Sequence, residues 1–227
     1  MQSGMPDTFN IAWKLREVLC GRLSEALLDT YQAEREPNVA FYTGVSIQLG
    51  RIIQQQLSEE ELAAMAPKPG EPLPEPPLLW NPWYEAGWFR GSTAPDSAVG
   101  KMIPQPRAAD ARGKLFWLDD QLGDGFVLLG DGVNPVAELT AGEKAGWDEL
   151  GARYICVLSP DQQGHGSDDV VDLDGALQAW MRRYATKVVA VRPDRFVAAT
   201  KGSGLAVPVL EKGESMSTEW GSRCWPA

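Results

Sequence analysis

The sequence predicts an α/β protein, an α+β mix of 227 residues in two parts. A helical segment over 1–66 precedes a small α/β domain over 101–200. Three observations carry this. Apolar residues recur at helical spacing before position 66, prolines cluster at Pro67, Pro69, Pro72, Pro74, Pro76 and Pro77, and short apolar runs alternate with helical patterns after position 101. The cluster favours extended chain, so 67–100 reads as a linker and arm, and 201–227, without periodicity, as an irregular or frayed tail.

The elements follow in order. Asp7 suits the N-cap or first turn of a helix over Thr8–Leu19, where Phe9, Ala12, Trp13 and Arg16 follow the i, i+3, i+4, i+7 pattern and Gly21 marks the stop. Phe9, Ile11, Trp13 and Leu15 point several ways around that helix, as in one buried on more than one side. Residues 24–33 read as a short helix or turn, and Pro37 as the first turn of a longer helix to Gln56. In that helix Val39, Ile47, Leu49, Ile52 and Ile53 are a candidate buried face. Ser58 to Glu61 matches a capping box for a third helix ending near Ala66.

In the arm, Trp80, Trp83, Trp88 and Phe89 are expected to anchor the chain by their rings. Beyond it come a strand at Phe126–Leu129, a helix at Ala141–Leu150, a strand at Arg153–Leu158 and a helix at Gly175–Tyr184. Strands at Lys187–Val191 and Phe196–Thr200 are joined by an Arg192–Arg195 hairpin turn. This order predicts a mixed sheet and resembles a thioredoxin-like topology.

Charge and motifs exclude several classes. A net charge of −10 disfavours nucleic acid and anionic membrane surfaces as partners, and no apolar run nears the roughly 20 residues that span a bilayer. With no basic-then-apolar leader, a cytoplasmic setting is expected. Cys20, Cys156 and Cys224 form no C-x-x-C, and His165 is the only histidine, so neither a dithiol centre nor a metal site is expected. The sequence has no G-x-G-x-x-G, P-loop or G-x-S-x-G, and the glycines around 123–132 and 202–204 read as turn punctuation. Asp119–Asp120 and Asp168–Asp169 read as solvated pairs, and no catalytic residue is assigned.

Two segments add a resemblance. Ser3-Gly4-Met5-Pro6-Asp7 running into Asn10-Ile11-Ala12-Trp13-Lys14-Leu15, and Leu27-Leu28-Asp29-Thr30-Tyr31-Gln32-Ala33-Glu34-Arg35-Glu36-Pro37, resemble signatures of class A FAD-dependent aromatic hydroxylases. Ile103-Pro104-Gln105-Pro106, Leu118-Asp119-Asp120 through Gly130, and Val191-Arg192-Pro193-Asp194-Arg195-Phe196-Val197-Ala198 resemble the branch with an extra C-terminal domain, which includes 3-(3-hydroxyphenyl)propionate and phenol hydroxylases. The resemblance covers about residues 2–200.

It implies an FAD monooxygenase that takes electrons from NAD(P)H and hydroxylates an aromatic small molecule. Ser3, Gly4 and Met5 occupy the stretch that approaches the flavin's pyrimidine edge in that family, and Pro6 stands where a basic residue is common. The family's dinucleotide-binding fold and substrate-covering sheet have no counterpart here, so the chain is expected to be a C-terminal portion, incomplete and inactive alone. Its expected partners are an N-terminal half or a second copy; the alternative is a non-catalytic dimerisation module.

Overall fold

The structure, a computed structural model, describes residues 4–54, 56, 58–65, 83–162, 166 and 168–209. Three helices open it: α1 (Gly4–Leu19), α2 (Ala26–Ile53) and α3 (Glu59–Met65). An arm from residue 83 leads to β1 (Arg107–Ala109), β2 (Leu115–Trp117), α4 (Leu118–Leu122) and β3 (Val127–Asp131). Then come α5 (Ala141–Glu149), β4 (Arg153–Leu158), β5 (Val170–Asp172), α6 (Ala176–Arg183), β6 (Val188–Val191) and β7 (Val197–Thr200). No helix among the described residues is long and apolar enough to cross a membrane.

The strands form one mixed seven-stranded sheet in the order β2-β1-β5-β4-β3-β6-β7. β3, β4 and β5 run parallel; β6 is antiparallel to β3, β7 to β6, and β1 to both β5 and β2. Alternation along the strands sorts the core onto two faces. Val127, Leu129, Ile155 and Val157 pack with Leu177 and Met181 of α6 and Leu118 and Leu122 of α4. Phe126, Leu128, Ala190 and Ala198 pack on the other side with Trp147 of α5. Trp13 of α1, Leu27 of α2 and Trp88 of the arm enter that same second cluster, so the helices share a core with the sheet.

The strongly patterned elements lie where their sequence places them: α5 behind a Thr140–Glu143 capping box, β4, α6, and the β6–β7 hairpin. Ser58 and Glu61 likewise exchange the bonds of a capping box at α3. Two expectations need correction. First, α2 is a single helix that continues through Pro37. An internal proline costs roughly 3 kcal/mol, and Glu34, Arg35 and Asn38 on either side of it are buried, so tertiary contacts hold the helix through the break. Second, Ile47, Leu49, Ile52 and Ile53 are exposed, because every buried residue of α2 falls between Leu27 and Asn38. The start of the tail is pinned: Trp147 donates to the Leu205 carbonyl (2.6 Å) and the Leu205 amide donates to Glu143 (3.0 Å). Residues 210–227, with Cys224, lie outside the described residues, as do 66–82, with Trp80, and His165.

Helix endings show one local conflict. α1 and α5 close with paired backbone bonds of the Schellman type around Gly21 (φ +68°) and Gly151 (φ +67°). α6 closes in the same way, with Ala185 donating to Arg182 and Thr186 to Met181, but its left-handed residue is Ala185 (φ +49°). A Cβ there costs roughly 1 kcal/mol. Ala185→Gly is therefore expected to stabilise the fold by about 1 kcal/mol in urea unfolding followed by circular dichroism. An unchanged or lower midpoint would contradict the assignment.

Candidate functional site

α1 is built inside out for this chain. Its buried residues are Asn10, Trp13, Lys14 and Glu17, and its exposed ones include Met5 (68%), Phe9 (64%), Leu15 and Leu19. The polar stripe faces inward because it meets a set of charges from two other elements. Glu34 of α2 receives both terminal nitrogens of Arg192 (2.8 Å each), the Asn10 amide (2.6 Å) and the Trp88 backbone N–H (3.0 Å). Lys14 Nζ stands 2.9 Å from the same carboxylate as an ion pair. Arg192 also donates to both oxygens of Asp194 (2.9 and 2.6 Å). The side chains of Lys14, Glu34 and Arg192 have no solvent exposure.

Two cations and two carboxylates balance, and aromatic rings close the site. The Arg192 guanidinium sits 4.8 Å from the Phe89 ring centroid and 4.9 Å from that of Trp13. Burial alone would raise the Glu34 pKa, but Arg192, then Lys14 and Asn10, outweigh it and hold the carboxyl at about 2. Burial pulls Lys14 down to about 8 against the attraction of Glu34. Burial also opposes the charge on Arg192, yet Asp194 and Glu34 raise its pKa further. Gly87 makes the approach possible: with φ at +135°, a Cβ there would lie 2.3 Å from the Glu34 side chain.

At the start of α1, Asp7 accepts from Arg35 Nε (2.7 Å), and Arg35 Nη1 donates to the Tyr84 hydroxyl (3.2 Å). Burial pushes the Tyr84 phenol up to about 12. An open groove of about 560 Å³ runs beside this pair, lined by Asp7, Tyr31, Arg35, Glu36 and Val39 among others. Of the predicted cofactor contacts, Ser3 lies outside the described residues; Gly4 and Met5 form the first turn of α1.

These residues fit a flavin at one edge only. First-turn N–H groups have no intrahelical acceptor, and a Cβ on Gly4 would touch nothing within 4 Å. That suits a negatively charged ring edge. A pyrophosphate needs a glycine-rich strand-to-helix turn, and the sequence holds no G-x-G-x-x-G to make one.

The motif residues seen in the sequence converge here. Asn10, Trp13, Lys14, Glu34, Arg192 and Asp194 meet in one cluster, although the local pattern of Arg192–Arg195 signals only a hairpin turn inside its motif. Tyr84 and Gly87 escaped notice, since neither belongs to a periodic pattern; Gly87 beside an aromatic arm was the available signal.

Two family models match the chain, one described as an FAD binding domain over residues 1–43 and one as the HcaD C-terminal domain over residues 100–212. The 3-(3-hydroxy-phenyl)propionate/3-hydroxycinnamic acid hydroxylase of Escherichia coli (strain K12) is 33% identical over 221 residues, covering 87% of this chain and 38% of that protein.

In sequence the chain matches the C-terminal portion of the FAD-dependent aromatic hydroxylases.

It spans 38% of the length of the curated hydroxylases it matches. Two solved structures of flavoenzymes share its fold. Aklavinone-11 hydroxylase, solved with FAD and aklavinone, aligns with a TM-score of 0.62 at 24% identity over 91% of this chain and 37% of that one. The flavin-dependent monooxygenase PieE, solved with FAD and substrate, aligns with a TM-score of 0.56 at 20% identity over 91% and 42%.

Within this hydroxylase fold the buried cluster is a staple joining α1, α2, the arm and the β6–β7 turn. Glu34→Gln would leave Lys14 and Arg192 facing Asp194 alone, and breaking such a pair costs about 3–5 kcal/mol. That loss is expected in urea unfolding near neutral pH; a loss under about 1 kcal/mol would contradict the staple. A carboxyl held below its unfolded value stabilises the fold at neutral pH and loses that contribution as pH falls from the unfolded carboxylate range toward about 2. The wild-type protein should therefore lose stability across that acid window more steeply than Glu34→Gln.

Proposed function

We propose that this chain is the C-terminal portion of an FAD-dependent, NAD(P)H-using monooxygenase that hydroxylates phenolic compounds, and that it is inactive without the remainder. The inverted α1 carries the reading. A helix that buries Asn10, Lys14 and Glu17 while exposing Met5, Phe9, Leu15 and Leu19 has its apolar stripe ready for a second body. The match of residues 1–43 to an FAD binding domain supports reading that body as the rest of the flavin domain.

In this reading Ser3, Gly4 and Met5 lie against the flavin's pyrimidine edge, where their backbone N–H groups offset negative charge. When bound, the flavin supplies the oxygen chemistry; this chain orients one ring edge and closes one wall against water. The division at 66, 100 and 200 separates the flavin-side helices, the connecting arm and a thioredoxin-like domain. The order β4-β3-β6-β7, with α5 joining the parallel pair β3 and β4 and with β6 antiparallel to β3, supports the thioredoxin-like assignment. The β3–α5 connection at 132–140 carries no cysteine, so the domain acts in packing rather than thiol exchange. A phenolic substrate and a cytoplasmic setting complete the proposal.

The test is complementation. The purified chain should be colourless, and co-expression with the dinucleotide-binding half of the E. coli hydroxylase should give a complex with flavin absorbance. Phe9→Glu should change the stability of the isolated chain by no more than about 0.5 kcal/mol, because the ring is exposed there, yet abolish the yellow complex. A chain that binds flavin and oxidises NADPH by itself would overturn the proposal.

A further inference from the structure

Two groups inside the buried cluster lack a full set of partners. Asn10 and Lys14 have no solvent exposure and stand one turn apart on α1, so they share its inner face. The Lys14 ammonium carries three N–H groups. Its contact with Glu34 (2.9 Å) is an ion pair, and Nζ makes no hydrogen bond to any described residue. Asn10 uses its amide nitrogen on Glu34 (2.6 Å) and Asp194 (3.2 Å), which leaves Oδ1 without a donor. Turning the amide over would aim its oxygen at two carboxylates, so these bonds fix its orientation. Unmet polar groups are rare inside folded proteins, and leaving them unmet is costly. Burial lowers the Lys14 pKa to about 8, so the group is still charged at neutral pH and still needs an acceptor.

Both side chains reach the same Glu34 oxygen, Asn10 Nδ2 at 2.6 Å and Lys14 Nζ at 2.9 Å. Their polar ends therefore lie within the span of about 5 Å that one water bridges. Charge decides the class of ligand. Lys14 and Arg192 repel an added cation, Glu34 and Asp194 repel an added anion, and the four already balance. The Trp13 ring, its centroid 5.9 Å from Nζ, walls the site with an apolar body and restricts it to something small. What fits is a small neutral molecule that accepts from an ammonium and donates to an amide carbonyl. We propose that the inner face of α1 holds one structural water, bridging Lys14 Nζ to Asn10 Oδ1. Buried waters are kept by two to four polar partners, and this pair supplies one donor and one acceptor. The inference stands apart from the flavin assignment, which concerns the first turn and the outer face of α1.

A crystal structure of the full chain should show a density peak about 3 Å from both Lys14 Nζ and Asn10 Oδ1, and crystals grown in bromide should show no anomalous peak there. In solution, oxygen-17 relaxation dispersion should count one long-lived water fewer in Lys14→Met than in the wild-type chain. That variant keeps the Glu34–Arg192 bonds, and its circular dichroism spectrum should match. Asn10→Leu should lose the same water, and the double variant should lose no more than either alone, which a general loosening of the core would not reproduce. The crystal structure tests the wild-type chain directly, whether or not the variants fold. Direct contact between Lys14 Nζ and Asn10 Oδ1 with no density between them overturns the proposal. A bromide peak at the site overturns it too, as does an unchanged count of long-lived waters in Lys14→Met.

Discussion

The Glu34–Arg192 pair, with Lys14, Asn10 and Asp194 around it, is the constraint on which the rest of the structure depends. Withdrawing these charges from water costs several kcal/mol per ion, and their mutual attraction offsets that only when geometry and hydrogen bonding are nearly complete. Here Glu34 receives Arg192 at two points, the Asn10 amide and the Trp88 amide, with the Lys14 ammonium in contact. Net stabilisation is therefore smaller than the number of contacts suggests. What the cluster supplies is position. It admits one placement of α1 on α2 and one approach of the arm, through the side-chain-free Gly87. It also admits one conformation of the β6–β7 turn, where Arg195 (φ +72°) is held in the left-handed region by bonds to Asp119 and to the Pro193 and Gly123 carbonyls.

This accounts for an otherwise odd division of labour along α2. Its first half carries every buried residue and passes through Pro37 unbroken, while its second half exposes Ile47, Ile52 and Ile53. Helix propensity cannot explain continuity through a proline. Anchoring can: Glu34 is fixed by Arg192 and Arg35 by Asp7 and Tyr84, one turn before Pro37, and Asn38 is buried just after it.

The sequence was most legible where periodicity and local chemistry agree. α5, β4 and α6 each combine a run of the right period with a cap or a glycine boundary. β1, β2 and β5 were not legible, since each has three residues and gains its identity from partners far along the chain. The chemistry of the site was half legible. Asn10, Trp13, Lys14, Glu34 and Arg192 stood out as parts of motifs, but Glu34 and Arg192 are separated by 158 positions, and no local pattern announces a salt bridge of that span. The motifs marked which residues mattered without saying that they touch.

The two exposed apolar surfaces differ in a way that bears on what covers them. On α1 the exposed apolar side chains belong to a helix whose backbone donors and acceptors are internally satisfied past the first turn, so a partner there gains packing and little directional bonding. On β2 the exposed side chains of Leu115 and Trp117 accompany backbone groups turned outward, so that edge offers directional bonds beside its apolar area. A folded domain suits the first surface. Because the buried charge cluster locks α1 to the β6–β7 turn, and β6–β7 is continuous with the sheet that ends at β2, both surfaces belong to one framework, and occupying one does not require distorting the other.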